Sequence, residues 1–98
     1  MEKIKCAAIK YRLKDAKEFS YLCAMSHGDC IGLFSAMGLP VKKRDISKEV
    51  QGFMTTRDRF VDRKEAMFVA RAANQLKLPC YANEDRLDSS WVNYCSEE

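Results

Sequence analysis

Four cations crowd into eight residues: Arg57, Arg59, Arg63 and Lys64. They flank a segment that reads as the start of a helix, where free backbone N–H groups and the helix dipole favour an anion. Arginine forks match phosphate oxygens in a bidentate way. Phe53 and Phe60 lie close enough in sequence to offer a ring to a base. These residue types in this spacing suit a phosphate-bearing nucleotide. They also admit a plainer reading, in which Asp58, Asp62 and Glu65 neutralise the cations locally and both phenylalanines belong to the core.

Other constellations carry less. Cys23, His27 and Cys30 are spaced by four and three, so only one helix running through all three would gather them. The helix expected here starts at Ser26, which leaves Cys23 outside, and the set is incomplete for a metal. Ser26, His27 and Asp29 adjoin in sequence, but catalytic triads converge in space, and neighbours at a helix start serve better as a cap. With one histidine, no nucleophile elbow and no Gly-rich phosphate loop, the chain offers little to build hydrolysis on.

The elements that must position these groups follow from periodicity and caps. Ile4–Leu13 reads as a first strand with apolar residues on both faces, covered on both sides or packed at an interface. Glu18–Ala24 reads as a second strand, forming a hairpin with the first. Ser26 caps a helix with Asp29 in its first turn. Ile31, Phe34 and Met37, with Leu33 and Cys30, form its broad apolar face, and Gly38 and Pro40 end it. Val41–Lys48 reads as a basic surface loop. Val50–Thr55 forms a third strand, Thr56–Arg59 a turn, and Phe60 and Val61 re-enter the core. Asp62 and Glu65 make a capping-box-like pair, and Val61 can staple onto Ala66. Ala66, Val69, Ala70 and Ala73 then share one helical face, while Met67 and Phe68 form a second. This helix is expected to end near Leu76. Beyond Pro79 the chain is irregular, with Trp91 docking on a body and an acidic end.

The 98 residues suit one domain, 1–98, and 47% hydrophobic content suits a globular one. A net charge of +3 is too mild to indicate nucleic acid unaided. Five cysteines without a C-x-x-C pair suggest reduced thiols, and no signal peptide is visible. The longest apolar-leaning stretch, Cys30–Leu39, is about half of what a membrane-spanning helix needs. The expected location is the host cytosol.

The run from Gln51 to Ala66 resembles a pattern common in small phage proteins. It has Gly52-Phe53 in a strand, a polar turn, then Arg59-Phe60-Val61-Asp62-Arg63 and Glu65-Ala66 opening a helix. Asn74-Gln75 and the start Ile4-Lys5-Cys6-Ala7-Ala8-Ile9 fit the same pattern. The chain is similar to the phage Thoeris anti-defence proteins, which sequester cyclic ADP-ribose signals. That resemblance implies a cyclic nucleotide sponge without enzymatic activity, a homo-oligomer holding its ligand in pockets between subunits.

The reading is therefore an α+β fold, a small antiparallel sheet with two packed helices. It binds a cyclic ADP-ribose-type or other cyclic nucleotide signal without cleaving it and needs no cofactor or metal. Arg57, Arg59 and Arg63 would hold phosphates and Phe53 or Phe60 the base, with Arg86 added from the tail. Nucleic acid and membrane are not the expected partners. The alternative is a small nucleic-acid- or protein-binding regulatory module that uses Lys42, Lys43 and Arg44 with the later arginines.

Overall fold

The computed structural model describes residues 1–95, so the acidic end expected from sequence, 96–98, lies outside the described residues. Two strand–strand–helix units follow one another. The first comprises β1 (Ile4–Tyr11), β2 (Ser20–Ala24) and α1 (His27–Ala36). The second comprises β3 (Val50–Thr55), β4 (Phe60–Asp62) and α2 (Arg63–Ala72). The strands form one antiparallel sheet in the order β2-β1-β3-β4. The architecture is thus α+β, an antiparallel sheet with two helices.

Register explains why both helices lie on one side. Ala7, Phe53 and Val61 are lined up across β1, β3 and β4 and pack with Ala66, Met67 and Ala70 of α2. Ile9 and Tyr11 alternate with Ala8 and Lys10, so they share Ala7's face. They pack with Cys30 and Phe34 of α1. Tyr11 meets Phe34 edge-on at 5.0 Å between ring centroids. The opposite face, carrying Cys6, Ala8, Lys10, Tyr21, Cys23, Met54 and Phe60, has no helix on it. The two-faced first strand is therefore covered by helices on one side only.

The caps form where sequence places them. Ser26 Oγ accepts from Asp29 N at 3.0 Å, and Asp62 Oδ1 accepts from Glu65 N at 2.7 Å. Gly38 takes the left-handed conformation after α1. The Asp62 box is only half built, because the Glu65 carboxylate pairs with Arg59 instead of the cap's own N–H.

Several expectations need correcting. α1 is apolar nearly all round, so periodicity could not choose its inner arc. His27, Cys30 and Phe34 are buried, while Ile31, Leu33 and Met37 are exposed. Met67 does not belong to a second face of α2; it is fully buried beside Ala66 and Ala70, and Phe68 alone is left outward. That helix stops at Ala72 rather than near Leu76, because Asn74 turns left-handed at φ 56°. The turn frees Gln75 to clamp the strand it faces. Its Oε1 accepts from Ile4 N at 2.8 Å, and its Nε2 donates to Ile4 O and Asn93 O at 2.9 Å each. Leu76 bridges Val92, and Trp91 stacks on Tyr81 at 4.6 Å. The tryptophan thus docks on its own chain.

The basic segment is not a plain surface loop. Two short 3-10 turns, Val41–Lys43 and Ile46–Lys48, fold Arg44 inward. Its guanidinium lies 3.8 Å over the Phe34 ring, and its Nε is 3.3 Å from Glu49 Oε1. Among the described residues no helix is long and apolar enough to cross a membrane.

Candidate functional site

The cations around α2 divide into two groups. Arg59 is spent on the fold. Its Nε and Nη2 donate to Glu2 at 3.0 and 2.8 Å, and its Nη1 donates to Glu65. Glu2 also accepts from Thr55 Oγ1 at 2.6 Å. Hydrogen bonds from Arg59 and Thr55 hold the Glu2 carboxyl down at about 2, and the Arg59 guanidinium is held charged more firmly still by the two carboxylates. The plainer sequence reading is met here only through Glu65: Glu2 comes from the far end of the chain, Asp58 pairs with Lys5, and Asp62 caps the helix. Arg57 sits on the adjoining exposed turn, its N–H donating to Thr55 Oγ1 at 3.2 Å.

Arg63 and Lys64, in the first turn of α2, face the other way. With Glu49, Val50, Gln51, Asp62 and Arg86 they line a cavity of about 390 Å³. Its carboxylates are engaged elsewhere: Glu49 with Arg44, and Asp62 with the Glu65 N–H. Arg63 is partly engaged, its Nε donating to Leu87 O at 2.9 Å and its Nη2 lying 3.7 Å from Asp88. The strap is returned by Leu87 N, which donates to Arg63 O at 2.9 Å. Asp88 is held below the usual carboxylate range, first by hydrogen bonds from Ser90 and then by Arg63. Lys64 and Arg86 are exposed and make no ion pair among the described residues. The groove is therefore net positive, at a helix start whose dipole adds to the same sign.

The two phenylalanines part company. Phe53 is fully buried under α2, with its ring edge-on to His27 at 5.1 Å, so it offers no face to a base. Phe60 lies on the helix-free side, over Gly52 and 5.4 Å from Tyr21. Of the six residues expected from sequence, the structure brings Arg63 and Arg86 into one cavity and sets Phe60 beside it. It leaves Arg57 and Arg59 at the far turn and Phe53 in the core. Lys64 was visible in the cation cluster. Tyr21 was not, because its nearness to Phe60 depends on strand order.

His27 is buried, and its Nε2 donates to Gly52 O at 2.7 Å. Burial pushes its pKa below the ordinary histidine value, which favours the neutral ring. Cys30 lies on the helix side, its thiol 3.6 Å from Leu22 O, and Cys23 on the opposite face. Among the described residues no group of three or more His, Cys, Asp or Glu side chains is placed to hold a metal.

Residues 3–92 match the model of the family described as phage T4 y16D protein. The chain belongs to that family. The matched span covers both strand–strand–helix units and every residue lining the groove, and it identifies a phage protein. Family membership names no ligand. No curated protein and no solved structure matches the chain.

Proposed function

We propose that this phage protein binds and sequesters a cyclic ADP-ribose-type nucleotide, or another cyclic nucleotide signal, without cleaving it, and so acts against host defence. The observation that carries the reading is the pair Lys64 and Arg86. They flank a concave surface at a helix start, and the carboxylates beside them are already committed to Arg44 and to the helix cap. A phosphate there would gain two cations and a helix dipole. Arg63 would hold its edge while strapping the tail. The groove is open, and a second copy closing its outer side would give the shared pocket of a homo-oligomer.

The alternative, a nucleic-acid- or protein-binding module built on Lys42, Lys43 and Arg44, is less supported, because Arg44 points into the fold over Phe34. Calorimetric titration with cyclic ADP-ribose isomers tests the proposal. Binding at micromolar levels is expected, weakened at least tenfold in Lys64→Ala with Arg86→Ala and only mildly sensitive to salt. A steep loss of affinity with salt for polynucleotides, with no heat from the small ligands, would favour the module instead.

A further inference from the structure

The sheet face without helices is not bare. Ala8 lies on it, on a central strand, paired with Cys23 on one side and Gly52 on the other. Ala8 is nonetheless fully buried. Its cover comes from side chains of the sheet itself. The Phe60 ring crosses from β4 over Gly52, whose missing Cβ would stand 2.6 Å from Phe60 Cζ. It meets the Tyr21 ring, which reaches in from β2, at 5.4 Å between centroids and 41° between planes. Tyr21 remains 47% exposed. Two rings from the two edge strands thus form a shelf in the middle of the sheet, with one ring open to solvent.

The shelf adjoins the groove. Val50 and Asp62 line the cavity that Lys64 and Arg86 flank. Asp62 pairs with Gly52, directly beneath the Phe60 ring, and Val50 pairs with Lys10, which in turn pairs with Tyr21. An aromatic platform therefore borders a cationic concavity with no element between them. Lys10 stands next to Tyr21, its ammonium 4.6 Å over the Phe19 ring, and forms no ion pair among the described residues. A ligand with a flat aromatic base at one end and phosphate at the other matches both parts.

We infer that Tyr21, with Phe60 beneath it, stacks on the base of the nucleotide whose phosphates enter the Lys64–Arg86 groove. This rests on the nucleotide reading above and adds its base-recognition half. Stacking on an aromatic ring tolerates any base, because every base has a π-face. The shelf accordingly selects for the presence of a base rather than for its identity. Phe60 fixes the shelf from below and Tyr21 supplies the contact surface.

The test uses the full chain with two probes, cyclic ADP-ribose and inorganic pyrophosphate, against Tyr21→Phe, Tyr21→Leu and Lys64→Ala. Leucine keeps Ala8 covered while removing the aromatic face, and circular dichroism checks that each variant is folded. The inference expects Tyr21→Leu to weaken cyclic ADP-ribose about tenfold while leaving pyrophosphate unchanged. It expects Tyr21→Phe to bind as the native chain does, and Lys64→Ala to weaken both probes. Native affinity for cyclic ADP-ribose in folded Tyr21→Leu would overturn the stacking role and leave the groove standing. If neither probe binds the native chain, the nucleotide reading fails and the inference with it.

Discussion

A Cβ on Gly52 would lie 2.2 Å from Val61 O and 2.6 Å from Phe60 Cζ. The glycine is required by close approach, since the neighbouring strand and its aromatic ring occupy the space a side chain would need. The contact with Val61 is to backbone and cannot be relieved by a rotamer change. Gly52→Ala is expected to destabilise the fold by about 1–3 kcal/mol, as overpacking does. It should also lift the Phe60 ring from the sheet. Urea denaturation reads the first effect and exposure of Ala8 to hydrogen exchange the second. Unchanged stability would contradict the packing described.

The Glu2–Arg59 pair makes an acid-limb prediction. The folded carboxyl is depressed to about 2 from its ordinary 4.5. Its stabilisation is therefore fully present above about 4.5 and is lost as pH falls through that window. Arg59 is half exposed, so screening reduces the gain to about 1 kcal/mol. Glu2→Gln should cost that much at pH 7 and cost progressively less between pH 4.5 and 2. A pH-independent difference would mean that the charge contributes nothing.

Gln75 joins the start of β1 to the tail through three hydrogen bonds. Gln75→Ala leaves the buried Ile4 N–H without its acceptor, while Ile4 O keeps the Cys95 N–H, and should cost about 1–3 kcal/mol, since a stranded buried polar group loses its full desolvation penalty. Thermal unfolding measures this. A cost within a few tenths would show that the tail is held by Trp91 and Val92 packing instead.

Thiol reactivity orders the cysteines. Burial, with Cys23 as a close neighbour, pushes Cys6 up to about 12, and burial pushes Cys30 up to about 11. Cys23 and Cys80 are exposed. Because the thiolate is the nucleophile, iodoacetamide at pH 8 should label Cys23 and Cys80 well before Cys6 and Cys30. Peptide mapping that finds Cys6 among the first labelled would contradict the burial of that thiol.

Much of the scaffold was legible from sequence because its signals are local. Ser26, Asp62 and Gly38 act on groups within a few residues, and the hairpin declares itself by alternation. The inner arc of α1 was not legible, since apolar residues spread over most of its circumference fit a sheet in several rotations, and the hydrogen bond from His27 to Gly52 is long-range. The end of α2 was hidden because Asn74 turns left-handed while Gln75 satisfies a strand 71 positions away in sequence. The candidate site was half legible. Arg63, Lys64 and Arg86 are of a chemical type that sequence shows, but whether a guanidinium is free depends on its partners. Arg59 meets Glu2 from the far end of the chain, and Arg44 meets Phe34, and neither pairing has a sequence signature. Tyr21 escaped notice because only the strand order sets it against Phe60.

The proposed sponge holds a cyclic nucleotide intact. Native mass spectrometry of the full chain after incubation with cyclic ADP-ribose isomers tests it most directly, because it reads bound mass, subunit number and the released ligand together. The expected result is a bound ligand of unaltered mass at micromolar concentration, recovered unchanged on denaturation and lost in the Lys64→Ala, Arg86→Ala double variant. No bound mass, or release of a cleaved product, would contradict it.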